Sequence, residues 1–152
     1  MYERILVPLD GSELAEQALA HARALAKSSS GTIHLVHVTE RTTKTVSTRS
    51  QFFGSDNLAE LNRQFVDAQA TAAHEYLDHV AERLKREGIP TSTELHEGAP
   101  HEHIVEYAKR EKIDLVIMST HGHGGLKRLI GSVTDRVVGS CVAPVLVVSC
   151  SE

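Results

Sequence analysis

The sequence predicts an α/β fold: a single doubly wound domain with a five-stranded parallel sheet and helices on both faces. Three observations carry that prediction. Five short strand-like runs alternate with helix-period segments along the 152 residues, and parallel strands require such crossovers to carry the chain back along the sheet. Residues 5–7 (Ile-Leu-Val) and 115–118 (Leu-Val-Ile-Met) are apolar at successive positions, as in strands covered on both faces. No internal repeat or composition break divides the chain, so residues 1–152 are expected to share one core.

The elements follow in order. "ERILVPLD" offers a first strand closed by Pro8. Ser12 then stands as an N-cap before a helix with Leu14, Ala18, Ala22 and Leu25 on one face, and Gly31 as its stop. "TIHLVHV" is the second strand. The Thr/Ser-rich stretch from Thr39 to Asn57 lacks periodicity and is long for a connection inside a compact domain, as lids and disordered segments are.

From Asn57 to Glu87 the positions Leu58, Leu61, Phe65, Ala68, Ala72, Leu77, Val80 and Leu84 step mostly by three and four, predicting one long amphipathic helix. Asn57 and Glu60 resemble a capping box, and Gly88 with Pro90 ends the helix. "TSTELHEG" is a polar strand suited to a sheet edge. Pro100 opens a helix with Ile104, Val105 and Ala108 inside. "DLVIMS" is an inner strand, a helix starts near Ser132, and "APVLVVS" is the last strand.

The totals exclude several classes. A formal charge of −4, with no dense Lys/Arg block, argues against a nucleic-acid surface. There is no charged-then-apolar leader and no apolar run of membrane-spanning length, so a cytoplasmic protein is expected. Cys141 and Cys150 are too few for a disulfide framework and lack metal or redox spacing.

Chemistry is suggested by "THGHGGLKRLIGSVTDRV", Thr120 to Val137. In doubly wound sheets ligands sit beyond the carboxyl ends of strands, where the strand order reverses. Glycines let backbone N–H groups approach an anion, and a helix N-terminus adds donors and positive potential. Ser132 and Thr134 could add hydroxyls, which together would suit a phosphate group. Asp10, after the first strand, either accepts hydrogen bonds from ribose hydroxyls and holds magnesium through water, or merely caps the next helix with Ser12.

These residues resemble the universal stress protein family in its nucleotide-binding branch. The resemblance covers nearly the whole chain, from "ILVPLDGSELAEQAL" through "HLVHV" and "EGAPHEHIVEYAKREKIDLVIMSTHG" to "GSVTDRVVGSCVAPVLVV". It implies an adenine nucleotide alpha hydrolase-like fold, agreeing with the periodicity. ATP-binding members carry a motif of glycine, two residues, glycine, nine residues, glycine, and Ser or Thr. Laid on this chain, the first glycine falls on Ser119, the second on Gly122 and the last pair on Gly131 and Ser132, with eight intervening residues, His123 to Ile130.

The resemblance thus implies binding of ATP, or of ADP or AMP, with Mg2+. Pro8 and Leu9 look like the pocket wall, Val38 like the backbone that meets adenine, and Asp10 like the acidic residue near ribose and metal. Ser119, Gly122, Gly131, Ser132, Val133 and Thr134 would lie about the phosphates, with Lys127 and Arg128 as charge partners or simply solvated residues.

The sequence offers no confident base or clamp for hydrolysis and no "GxxxxGK[ST]" motif. His121, His123, His101 and His103 lack carboxylate or cysteine partners at metal-ligand spacing and read as polar surface residues. A nucleotide-dependent switch or stress-response binding protein is therefore the leading expectation. The alternatives are a dimeric interaction module of the same fold that has lost nucleotide binding, and a slow ATPase. The last strand, apolar and outermost, invites another strand, and the resemblance implies a homodimer through it.

Overall fold

The computed structural model of the protein describes residues 1–40, 55–120 and 132–149. They form β1 (Arg4–Leu9), α1 (Glu13–Ser29), β2 (Thr32–Thr39), α2 (Ser55–Arg86), β3 (Thr91–Glu97), α3 (Pro100–Arg110), β4 (Leu115–Ser119), α4 (Ser132–Gly139) and β5 (Val145–Val148). The strands make one five-stranded parallel sheet in the order β3-β2-β1-β4-β5, so the predicted architecture is present. β3 and β5 occupy its two edges, as their compositions suggested, and β4 lies inside.

Strand alternation sorts the core into two layers. Ile5, Val7, Ile33, Leu35 and Ile117 face α1 and α2, where they meet Ala18, Leu19, Ala22, Leu77, Val80 and Leu84. Leu6, Val36, Val116 and Met118 face the other way, onto Ile104 and Tyr107 of α3 and Val137 of α4. Each fully buried Leu, Ile or Val contributes roughly 1.5–3 kcal/mol by leaving water. Both faces of the sheet are thereby covered, which is why β1 and β4 carry no polar alternation.

Three local expectations are refined. Ser12 caps α1 as predicted, its Oγ accepting from the Ala15 N–H at 3.1 Å. Gly31 is not the left-handed residue that stops the helix: Ser30 is, at φ 55°, with its N–H donated to the Ala26 carbonyl. Gly31 is glycine for space, because a Cβ there would lie 2.8 Å from the Tyr2 carbonyl oxygen.

α2 begins at Ser55, two residues before the expected cap Asn57, whose side chain lies outside the described residues. The Glu60 carboxylate accepts from Arg63 and Gln64 of its own helix. Gly88, at φ +79°, ends α2 as predicted.

α2 is also less uniformly buried than its sequence implies. Ala73, Leu77, Val80, Ala81 and Leu84 are buried, whereas Leu61, Phe65 and Val66 are exposed. The second half of the helix covers the sheet and the first half leaves it.

Candidate functional site

The strand pairing ends early at one place. β1 pairs with β2 along its whole length, from Arg4↔Thr32 to Leu9↔His37, and β4 pairs with β5 from Val116↔Val145 to Ser119↔Val148. β1 and β4 share only Ile5↔Leu115 and Leu6↔Val116. Beyond Leu6, Val7-Pro8-Leu9 and Ile117-Met118-Ser119 continue side by side without further pairing, and Pro8 has no N–H with which to extend a ladder. This parting lies where the strand order turns from β2 on one side to β4 on the other, the place where doubly wound sheets hold ligands.

The lip after β1 is a tight turn. Gly11 adopts φ +81°, a left-handed conformation that glycine takes without steric cost. Asp10 Oδ1 accepts from the Ser12 N–H at 2.9 Å and from the Ser12 hydroxyl at 2.5 Å. The capping alternative for Asp10 is thus formed: its carboxylate organises the turn into α1, and the residue is exposed at the carboxyl end of the sheet.

The opposite lip joins β4 to α4. Thr134 is 4 % exposed, and its hydroxyl donates to the Ser119 carbonyl at 3.0 Å. That proton ties the first turn of α4 to the end of β4, so Thr134 acts here as a clamp within the protein. Ser132, the first residue of α4, is exposed, and Val133 packs against the second core layer. Gly122, Gly131, His121, His123, Lys127 and Arg128 lie outside the described residues.

Val38 follows the last β1–β2 pair, Leu9↔His37, while still pairing with His96 of β3 on its other side. Its backbone consequently runs past the paired end of β1. Pro8, Leu9, Asp10, Val38 and Ser119 are thus gathered at the carboxyl end of the sheet by register alone.

α2 sends one polar residue to the carboxyl end of β2, which no local sequence signal marks. Tyr76 Oη donates to Glu16 Oε1 at 3.1 Å, and its ring stands edge-on to His37, with centroids 6.2 Å apart. Burial, and then the negative charge of Glu16, push the Tyr76 hydroxyl well above its ordinary range, with Asp10 adding to the effect. Tyr76 remains a neutral donor at every working pH.

Histidines elsewhere on this end of the molecule have protein contacts. His96 stacks on His103 with centroids 4.8 Å apart, and His103 Nε2 lies 3.1 Å from the Glu97 carbonyl. His101 Nδ1 lies 3.4 Å from an Arg136 nitrogen. Among the described residues no group of three or more His, Cys, Asp or Glu side chains is placed to hold a metal ion. No described helix is long and apolar enough to cross a membrane.

Sheet order, two-sided helical cover and an opening between β1 and β4 define the class: a small doubly wound α/β protein with its crevice at the switch point. The model of the universal stress protein family matches residues 1–149, and the chain belongs to that family.

Among curated relatives, universal stress protein MJ0577 of Methanocaldococcus jannaschii is 34 % identical over 154 residues, spanning 97 % of this chain and 95 % of the relative. Universal stress protein MJ0531 of the same organism is 33 % identical, spanning 97 % and 82 %. The solved structure of MJ0577 superposes with a TM-score of 0.84 at 31 % identity, over 100 % of this chain and 99 % of that one. UspA of Lactobacillus plantarum, at TM-score 0.77 and 24 % identity over 99 % and 98 %, has the same fold.

Proposed function

We propose that this universal stress protein binds an adenine nucleotide in the β1–β4 crevice, ATP with ADP and AMP as shorter alternatives, and works as a nucleotide-dependent switch or stress-response binding protein in the cytoplasm. The observation that carries the reading is the parting of β1 and β4 beyond Leu6↔Val116, with Asp10 on one lip and the start of α4 on the other. Pro8, Leu9 and the Val38 backbone would hold the base, and Asp10 the ribose. Ser119, Ser132 and Val133, with Gly122, Gly131 and the first turn of α4 that Thr134 fastens to β4, would surround the phosphates.

Mg2+ suits this donor set only through water. Magnesium keeps several waters and takes one or two carboxylates beside the substrate phosphates. Asp10 supplies one carboxylate, and its Oδ1 already holds Ser12. When bound, the ion would neutralise phosphate charge; Asp10 would orient its water shell, and the Ser12 contacts would keep that carboxylate in place.

Isothermal titration of nucleotide-stripped protein tests the proposal. Heat on adding ATP is expected, with Asp10→Ala weakening binding about tenfold or more, the 1.5–3 kcal/mol of a hydrogen bond to a charged group. Silence toward ATP, ADP and AMP at millimolar concentration would instead favour the non-binding interaction module, a reading supported by Ser119 in place of glycine and by the eight-residue spacing from Gly122 to Gly131. In either case we propose a homodimer through β5.

A further inference from the structure

We infer that the first half of α2 is a self-association surface that docks antiparallel on the same helix of a second copy of this chain. Leu61 is 59 % exposed and Phe65 51 %, and Ala68 and Ala72 are exposed with them. Their spacing of four, three and four residues makes a continuous seam of the kind that packs helix on helix. The seam does not continue the face that covers the sheet. At 100° per residue, it points about 130° away from the direction of Ala73, Leu77, Val80, Ala81 and Leu84. α2 therefore has two apolar faces, and only one is used within the described chain.

Side-chain size selects the occupant and its direction. Leu61 and Phe65 are large, whereas Ala68 and Ala72 are small. An antiparallel second copy places Phe65 opposite the partner copy's Ala68 and Leu61 opposite its Ala72, so each layer pairs a large residue with a small one and the helices stay evenly spaced. A parallel copy would crowd two phenylalanines and leave a void between alanines.

The flanks fit an identical helix as well. Asn62, Gln64, Gln69 and Thr71 border the seam and carry no charge, while Glu60, Arg63 and Asp67 lie farther around the helix. Identical helices can meet here without opposing like charges, and the same register sets Asn62 against Gln69 of the other copy. A seam about 17 Å long is small beside the roughly 1,200 Å² or more of a stable interface. The association is accordingly weak and reversible, and it needs neither nucleotide nor the β5 edge.

Disulfide trapping tests it. In a Cys141→Ser/Cys150→Ser background, the Leu61→Cys/Ala72→Cys double variant of the full chain is expected to form a covalent dimer under mild oxidation. The two positions are about 16 Å apart within one helix and cannot bridge internally. Each single variant is expected to stay uncrosslinked, and adding Phe65→Glu to the double variant to cut dimer yield at least fivefold. Ellipticity and melting temperature close to those of the parent establish that these surface variants fold. No covalent dimer from the double variant overturns the inference, whether the seam is covered by another segment, by a different protein or by nothing. Dimers from the single variants, or no effect of Phe65→Glu, overturn the antiparallel register.

Discussion

Ser12 shows how one side chain can serve both the fold and the crevice. Its Oγ accepts from the Ala15 N–H while its own N–H and O–H are both held by Asp10 Oδ1. Ser12→Ala removes the cap and one hold on Asp10 together. We expect a stability loss of about 1 kcal/mol in urea unfolding, accompanied by weaker ATP binding in titration. Ser12→Asp should retain most of the stability and, by adding a like charge beside Asp10, none of the lost affinity.

His34 is a second residue with a measurable signature. Its Nδ1 lies 2.9 Å from both Tyr107 Oη and Ser92 Oγ. Burial lowers its pKa, with Arg4 acting in the same direction and Glu111 and Asp114 opposing. The unfolded chain therefore takes up a proton that the folded chain holds less tightly. The stability His34 gives by staying neutral is present above about pH 6.5 and is lost as pH falls from there through the lowered folded value, at no more than about 1.4 kcal/mol per pH unit. In urea titrations between pH 7.5 and 5, His34→Gln should show the shallower loss; equal slopes would refute the assignment. Ser12 was legible because a cap is local. His34 was not, since Ser92 on β3 and Tyr107 on α3 reach it only once the chain has folded.

At the scale of elements, spacing told where helices lie but not which residue turns them or which way they face. The end of α1 was legible, yet Ser30 rather than Gly31 takes the left-handed turn. The two positions therefore predict mutations of opposite sign. Ser30→Gly should stabilise by about 0.5–1 kcal/mol by relieving a positive φ. Gly31→Ala should destabilise by about 1–3 kcal/mol, because its Cβ would meet backbone carbonyls of Tyr2 and Glu3 at 2.8 and 3.1 Å. Thermal or chemical unfolding of the two variants checks the pair. In α2, steps of three and four run from Leu58 to Ala72 and again from Leu77 to Leu84, and the single step of five between them turns the stripe by about 140° and splits it into two faces.

For the whole molecule, alternation of strand and helix made the fold class legible, and the dense apolar run of residues 145–148 marked a strand. Asp10 and the glycine stretch pointed to the ends of β1 and β4, but the pair after which their ladder stops was not legible, because it is a property of register between segments more than a hundred residues apart. The proposed β5 dimer depends on register in the same way. The Pro144 and Val148 carbonyls accept from the Val116 and Thr120 N–H groups, each at 2.9 Å. In a parallel ladder alternate residues address opposite neighbours, so residues 144, 146 and 148 turn to β4, and the backbone of Val145 and Val147 turns outward. Val147→Pro thus deletes an outward donor while leaving the β4 ladder in place. If two copies pair through this edge, the variant should run near monomer mass in light scattering at concentrations where the parent is dimeric, with melting of the diluted proteins differing little. An unchanged mass would show that the copies meet elsewhere, and the Phe65→Glu variant would then tell whether the α2 seam is that place.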